Sequence, residues 1–92
     1  MDNENIKIKW LTEISEYASS VVEENLYTFV TDETTYDIIS KIKNKNYELM
    51  KEGCPEFIIV LNIDAKGIVH INITSVKLQT GEEVLLEEWM NS

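Results

Sequence analysis

One cysteine, Cys54, stands alone among the 92 residues. No internal disulfide can hold the fold, and the chain suits a reducing compartment. With no second cysteine and no pair of histidines at ligand spacing, the usual zinc sites are excluded and no metal is expected. The single histidine, His70, would need a positioned acid or nucleophile to act as a base. Its same-face neighbours on an alternating strand are Asn72 and Thr74, which are poor partners, so a solvated strand histidine is expected. Gly53, Gly67 and Gly81 are scattered singly, and no phosphate-cradling loop exists. No apolar run approaches the roughly 20 residues of a membrane span. The opening Met1-Asp2-Asn3-Glu4-Asn5 is acidic and polar, so no signal peptide is expected and the setting is expected to be cytoplasmic.

Charge is present in excess of one sign. Seventeen Asp and Glu against eight basic residues give a formal net charge of −9. That opposes direct binding to nucleic acid or an anionic membrane, since both are polyanions. It favours solubility, a basic protein partner, or a surface that mimics nucleic acid. Thr31-Asp32-Glu33-Thr34-Thr35 lacks the alternating acidic ligands and closing glutamate of a calcium loop. It reads instead as a helix start, with an N-cap oxygen and early acidic residues. Cys54 follows a helix C-terminus, whose partial negative charge raises a thiol pKa, so a nucleophile is not expected. No catalytic residue, cofactor or small-molecule substrate is expected.

At 43% hydrophobic and 27% charged residues the composition is globular. No linker, repeat or low-complexity segment divides it, so one domain over residues 1–92 is expected, with residues 1–5 frayed. Trp10, Leu11, Ile14, Tyr17, Ala18, Val21 and Val22 follow helical spacing and predict a helix over about 8–25. Ile6 and Ile8 alternate with Lys7 and Lys9, which leaves a brief strand there as a competing reading. Leu26–Val30, short, aromatic and β-branched, predicts a strand. Tyr36, Ile39, Ile42 and Met50 predict a second helix over about 33–52, with Gly53 and Pro55 ending it. Glu56–Ile63 is nearly all apolar, as in a central strand covered on both faces. Asp64–Gly67 is a turn, and 68–77 a strand with Val69, Ile71 and Ile73 on one face and His70, Asn72 and Thr74 on the other. Thr80-Gly81 makes a second turn before a strand over Glu83–Trp89.

The expected fold is therefore α+β, with order α-β-α-β-β-β. Two helices pack on one face of a four-stranded, mainly antiparallel sheet, and the first two strands are parallel through a right-handed crossover. The expected core holds Trp10, Ile14, Val21, Phe29, Ile39, Ile42, Ile59, Leu61 and Ile71. In the last strand Val84 and Leu86 would share one face, and Leu85 and Trp89 the other. A solvated edge strand should have one polar face, so Val84, Leu85, Leu86, Glu87, Glu88, Trp89 and Met90 are the candidate partner-binding residues. The competing reading folds Trp89 over the end of the core.

The segment from Leu26 to about Leu86 resembles the C-terminal domain of contractile-phage tail sheath proteins. Phe29-Val30-Thr31-Asp32-Glu33-Thr34 resembles a strand-ending turn of that family. Ile38, Ile42 and Met50 resemble its helix, Gly53 and Phe57–Val60 its glycine and following strand, and His70-Ile71-Asn72-Ile73 a later strand. The tight Asp64–Gly67 turn replaces a longer loop of the family. The resemblance implies a phage virion structural or tail protein that assembles through added strands, without catalysis. Two functions are thus expected as alternatives: a non-enzymatic structural or assembly protein acting by protein–protein contact, in the cytoplasm or a virion, or an acidic inhibitor occupying a nucleic-acid-binding site. The second requires Glu13, Glu16, Glu23, Glu24, Glu87 and Glu88 to form a continuous stripe.

Overall fold

The apolar spacing that begins at Trp10 does build a long helix. In the computed structural model, which describes residues 3–24 and 32–92, helix α1 runs Asn3–Glu24. It starts about five residues before the expected start near residue 8, taking in part of the end expected to fray and making Ile6 and Ile8 helical rather than extended. Lys7 explains the early start. Its ammonium donates to the carbonyl of Trp89 at 2.8 Å and to the Ser92 carbonyl at 3.0 Å, which ties the first turns of α1 to the other end of the chain. Trp10, Ile14, Ala18 and Val21 then form the buried face.

Helix α2 runs Asp32–Met50. Its buried line is Ile38, Ile42, Asn46 and Leu49, while Ile39 is only half-buried and Tyr36 is 72% exposed. Of the expected stripe Ile42 is buried, whereas Tyr36, Ile39 and Met50 lie off the buried line. The cause is Asn46, a polar residue occupying a core position in the helical repeat. Beyond Met50 the chain closes the helix with two backbone bonds. Cys54 N–H reaches the Leu49 carbonyl at 3.3 Å, and Gly53 N–H the Met50 carbonyl at 3.1 Å. This is the Schellman closure, and it needs a left-handed residue, which Gly53 supplies at φ 108°.

Asn46 then receives the strand that follows. Its side-chain Oδ1 accepts the Phe57 N–H at 2.8 Å, and its Nδ2 donates to the Pro55 carbonyl at 3.1 Å. Strand β1, Glu56–Ile63, begins there. It pairs antiparallel with β2, Val69–Lys77, which pairs with β3, Glu83–Leu85. The sheet order is β1-β2-β3, so β2 is central and β1 lies at an edge among the described residues. The expectation of a covered central strand at 56–63 is corrected: Val60 and Ile63 are 39% and 46% exposed. The register shifts between Ile58 and Ile59, where Thr74 is the extra residue. The shift keeps Phe57, Ile59 and Leu61 on the face of Ile71, Ile73 and Val76.

The fold is α+β with element order α-α-β-β-β-α, and the sheet has three strands, not four. The strand expected over Leu26–Val30, with Phe29 of the expected core and the parallel crossover, lies outside the described residues. The last expected strand is corrected as well. Only Glu83–Leu85 is extended, and Leu86–Met90 forms a short helix, α3. Leu86, Trp89 and Met90 recur at i, i+3, i+4, so a helix lets all three face the core where a strand would split them. Helix α1 packs on α2, α2 on β1, and α3 on β2 and β3. Trp10, Ile14, Val21 and Ile42 are buried as expected, and Ile59, Leu61 and Ile71 are partly buried against that core.

Replacing Asn46 by Leu would take the acceptor from the buried Phe57 N–H and leave the Pro55 carbonyl with only the Cys54 thiol as donor. An unpaired buried group costs about 1–3 kcal/mol, so Asn46→Leu should lower stability by about 1–3 kcal/mol despite its added apolar surface. A urea midpoint lowered at constant m-value checks it.

Candidate interaction surface

The expected partner-binding residues divide three ways. Trp89 is buried at 7% exposure, edge-to-face on Phe57 with ring centroids 5.7 Å apart and planes at 77°. The Lys7 ammonium lies 5.4 Å from its ring centroid. Trp89 therefore closes the end of the core. Val84, Leu86 and Met90 are half-buried against the same core. Leu85, Glu87 and Glu88 are exposed, Leu85 at 58%. Leu85 pairs with Ser75 and so lies on the outer sheet face, whereas Val84 pairs with the buried Val76.

A second surface was not anticipated. Among the described residues a groove of about 530 Å³ lies between α1 and β2. Its helical wall is Leu11, Ala18 and Val22, with Ser15, Ser19 and Glu23 along the lip. Its floor is the inward face of β2, with Val69, Ile71 and Ile73, and Leu86 closes one end. The signal for it was present in the helical spacing. Leu11 and Val22 widen the α1 stripe past what α2 covers, so the helix has a second apolar strip beside Trp10–Ile14–Val21. Ser15 and Ser19, small residues on that strip, keep the groove from filling. Beyond it on the inner face of the hairpin, Ile63 is half-exposed, and Ile68 in the turn is 50% exposed.

A smaller depression of about 340 Å³ lies between Trp10, Gly53, Pro55, Leu78 and Trp89. Lys7 at its edge is already engaged, since it also donates to the Ser92 hydroxyl at 2.9 Å. This depression is the seam between the two ends of the chain.

The titratable groups sit in two contrasting places. Cys54 is fully buried, and its thiol donates to the Pro55 carbonyl at 3.2 Å. Burial pushes its pKa up to about 12, with the nearby Glu52 charge adding to the rise. The thiolate that nucleophilic chemistry requires is therefore suppressed at neutral pH. His70 does have an acidic partner, which strand-neighbour reasoning missed because it comes from across the turn. Its Nε2 lies 2.9 Å from Asp64 Oδ2. Asp64 Oδ1 also accepts the backbone N–H groups of Lys66 at 2.8 Å and Ile68 at 3.0 Å. The pair is exposed at the hairpin tip, where it fixes the turn. Among the described residues no group of three or more His, Cys, Asp or Glu side chains is placed to hold a metal ion. No helix among them is long and apolar enough to cross a membrane.

Compared with known proteins, the chain matches no family model, no curated protein and no solved structure.

Two outcomes follow. Trp89→Ala should cost about 3–5 kcal/mol, as for a buried large aromatic, whereas Leu85→Ser should stay within about 0.5 kcal/mol of the parent; thermal unfolding of the two variants compares them. The second concerns pH. The hydrogen bond from His70, then those from the Ile68 and Lys66 backbone, hold the Asp64 carboxyl below its ordinary value. Folding thus favours the ionised carboxylate, and its support of the turn is present above the ordinary aspartate pKa and lost as pH falls through the lowered one. A carbon-detected titration should place Asp64 below a free aspartate, and His70→Ala should move it back up.

Proposed function

We propose that this chain is a small acidic protein that works by protein–protein contact rather than catalysis, as a structural or assembly component of a phage virion. The observation that carries the contact reading is the open apolar groove between α1 and β2, set in a chain of net charge −9. Apolar surface left open among the described residues loses the stabilisation its burial would give, so a groove of this kind favours an occupant. Leu86 joins it to the C-terminal segment, where Glu87 and Glu88 extend the exposed surface and Val84, Leu85 and Met90 flank it. Trp89 supports that surface from within. The non-catalytic part of the reading rests on Cys54, sealed in the core as a neutral thiol, and on His70, held by Asp64 on an open turn. The virion assignment rests on the resemblance to tail sheath C-terminal domains through Ile38, Ile42, Gly53, Phe57–Val60 and His70–Ile73. It goes with a cytoplasmic or virion setting and with no cofactor.

The inhibitor reading ranks second. It needs an unbroken acidic stripe, and Lys41, Lys43, Lys45 and Lys51 lie on or just after α2, with Lys45 3.9 Å from Glu48. Such an interleaving of signs weakens the phosphate-like field that mimicry requires.

Size-exclusion chromatography with light scattering, joined to co-purification from the native source, tests the contact reading. A particle larger than one chain, or a partner retained in stoichiometric amount, is expected. A strict monomer that retains no partner would overturn it.

A further inference from the structure

The tyrosines of α2 are left outside the core. Tyr36 is 72% exposed and Tyr47 49% exposed, with Ile39 and Met50 half-buried beside them. The core takes Ile38, Ile42, Asn46 and Leu49. On another side of the helix Lys45 lies 6.0 Å from the ring centroid of Tyr17, so that side faces α1. The flank left over carries Glu33, Tyr36, Ser40, Asn44 and Tyr47, with Lys51 just beyond the helix end. Steps of three and four residues separate them, which sets them in one line. All are exposed except Ser40, which is half-buried. None of them lines the α1–β2 groove, so this is a separate surface.

We propose that this flank of α2 pairs, antiparallel, with the same flank of a second copy of the chain. The order of residue types carries the argument. From one end the line reads Glu33, Tyr36, Ser40, and from the other Lys51, Tyr47, Asn44. A two-fold axis between Ser40 and Asn44 therefore sets Glu33 against Lys51, Tyr36 against Tyr47 and Ser40 against Asn44, and each contact occurs twice. Opposite charges meet at the two ends, aromatic rings meet inside them, and short side chains at the centre let the backbones approach. A parallel pair would set glutamate on glutamate and lysine on lysine. Antiparallel helices also oppose their dipoles. Lys43 lies beside the axis on each copy; it is exposed, and its long stem leaves the ammonium in water. The net charge of −9 does not oppose this contact. Residues 32–51 hold four carboxylates, Asp32, Glu33, Asp37 and Glu48, and four lysines, Lys41, Lys43, Lys45 and Lys51, so the excess of acid lies elsewhere in the chain. Two copies meet where neither is acidic.

Sedimentation velocity of the full chain from about 10 to about 500 µM should show monomer giving way to dimer. An isotope-filtered NOE spectrum should connect the Tyr36 ring to the Tyr47 ring of the other copy. Glu33→Lys alone and Lys51→Glu alone should each weaken the dimer at least about fivefold, and the two together should restore it to within about twofold of the parent. Tyr36→Ser/Tyr47→Ser should abolish the dimer and leave the fold in place, since both side chains lie outside the core. A chain that stays monomeric throughout overturns the proposal. So does a double charge variant no better than the single ones, or a dimer without the Tyr36–Tyr47 contact. Contact of both rings with residues 25–31 of the same chain overturns it too. If a different protein is still retained on co-purification, the contact reading stands without this dimer. If the chain is monomeric and retains nothing, that reading fails as well.

Discussion

A single buried amide joins the helical half of this protein to its sheet. Asn46 lies on the inner face of α2 at 1% exposure, and it presents an acceptor and a donor to the chain as β1 begins. Without it the Phe57 N–H would lose its acceptor and the Pro55 carbonyl would keep only the Cys54 thiol as donor. Asn46 supplies both bonds from a helix. Because Pro55 has no N–H of its own, two bonds are enough to engage this stretch of backbone. The consequences run along β1. With Phe57 pinned inward it meets Trp89 and pairs with Val76, and the bulge at Thr74 then carries the same inward face on to Ile59 and Leu61. A slip by one residue would reverse every one of these side chains.

Much of this was legible in the sequence, for physical reasons that can be named. The strand over Glu56–Ile63 and the turns at Asp64–Gly67 and Thr80-Gly81 follow from β-branched runs bounded by turn residues, all local effects. The alternation of Val69, Ile71 and Ile73 against His70, Asn72 and Thr74 needs only the two-residue period of a strand. Gly53 announces the end of α2 because a left-handed residue is required there. What escaped the sequence depended on partners distant along the chain. Asn46 carries no apolar signal, its burial depends on Pro55 and Phe57 beside it, and it hid the true phase of α2. The segment Leu86–Met90 is compatible with either period, and only the position of Phe57 favours a helix that brings Trp89 inward. The Asp64–His70 pair crosses a turn whose conformation decides which side chains meet.

The groove was half visible. Leu11 and Val22 belonged to the apolar stripe of α1, but a stripe alone does not say which part of it a neighbouring element covers. Helix α2 packs along α1, where Ile14 and Val21 are buried, and α3 packs on β2 and β3. Among the described residues the remainder stays open over Val69, Ile71 and Ile73, with Ser15, Ser19 and Glu23 along its lip. Among the described residues the interior is closed at the Trp89 end and less covered toward the hairpin.

The sealed state of Cys54 gives the fold a built-in clock. In the native protein its sulfur is both out of reach of solvent and protonated, so a thiol reagent at neutral pH has almost nothing to attack. Reaction must wait for the junction of α2 and β1 to open, and that junction is the one Asn46 holds. The rate of labelling at this one position therefore counts openings of the junction between α2 and β1, with no residue introduced to report them. A partner that stabilises the assembled core would lengthen the interval between openings even if it bound far from the sulfur.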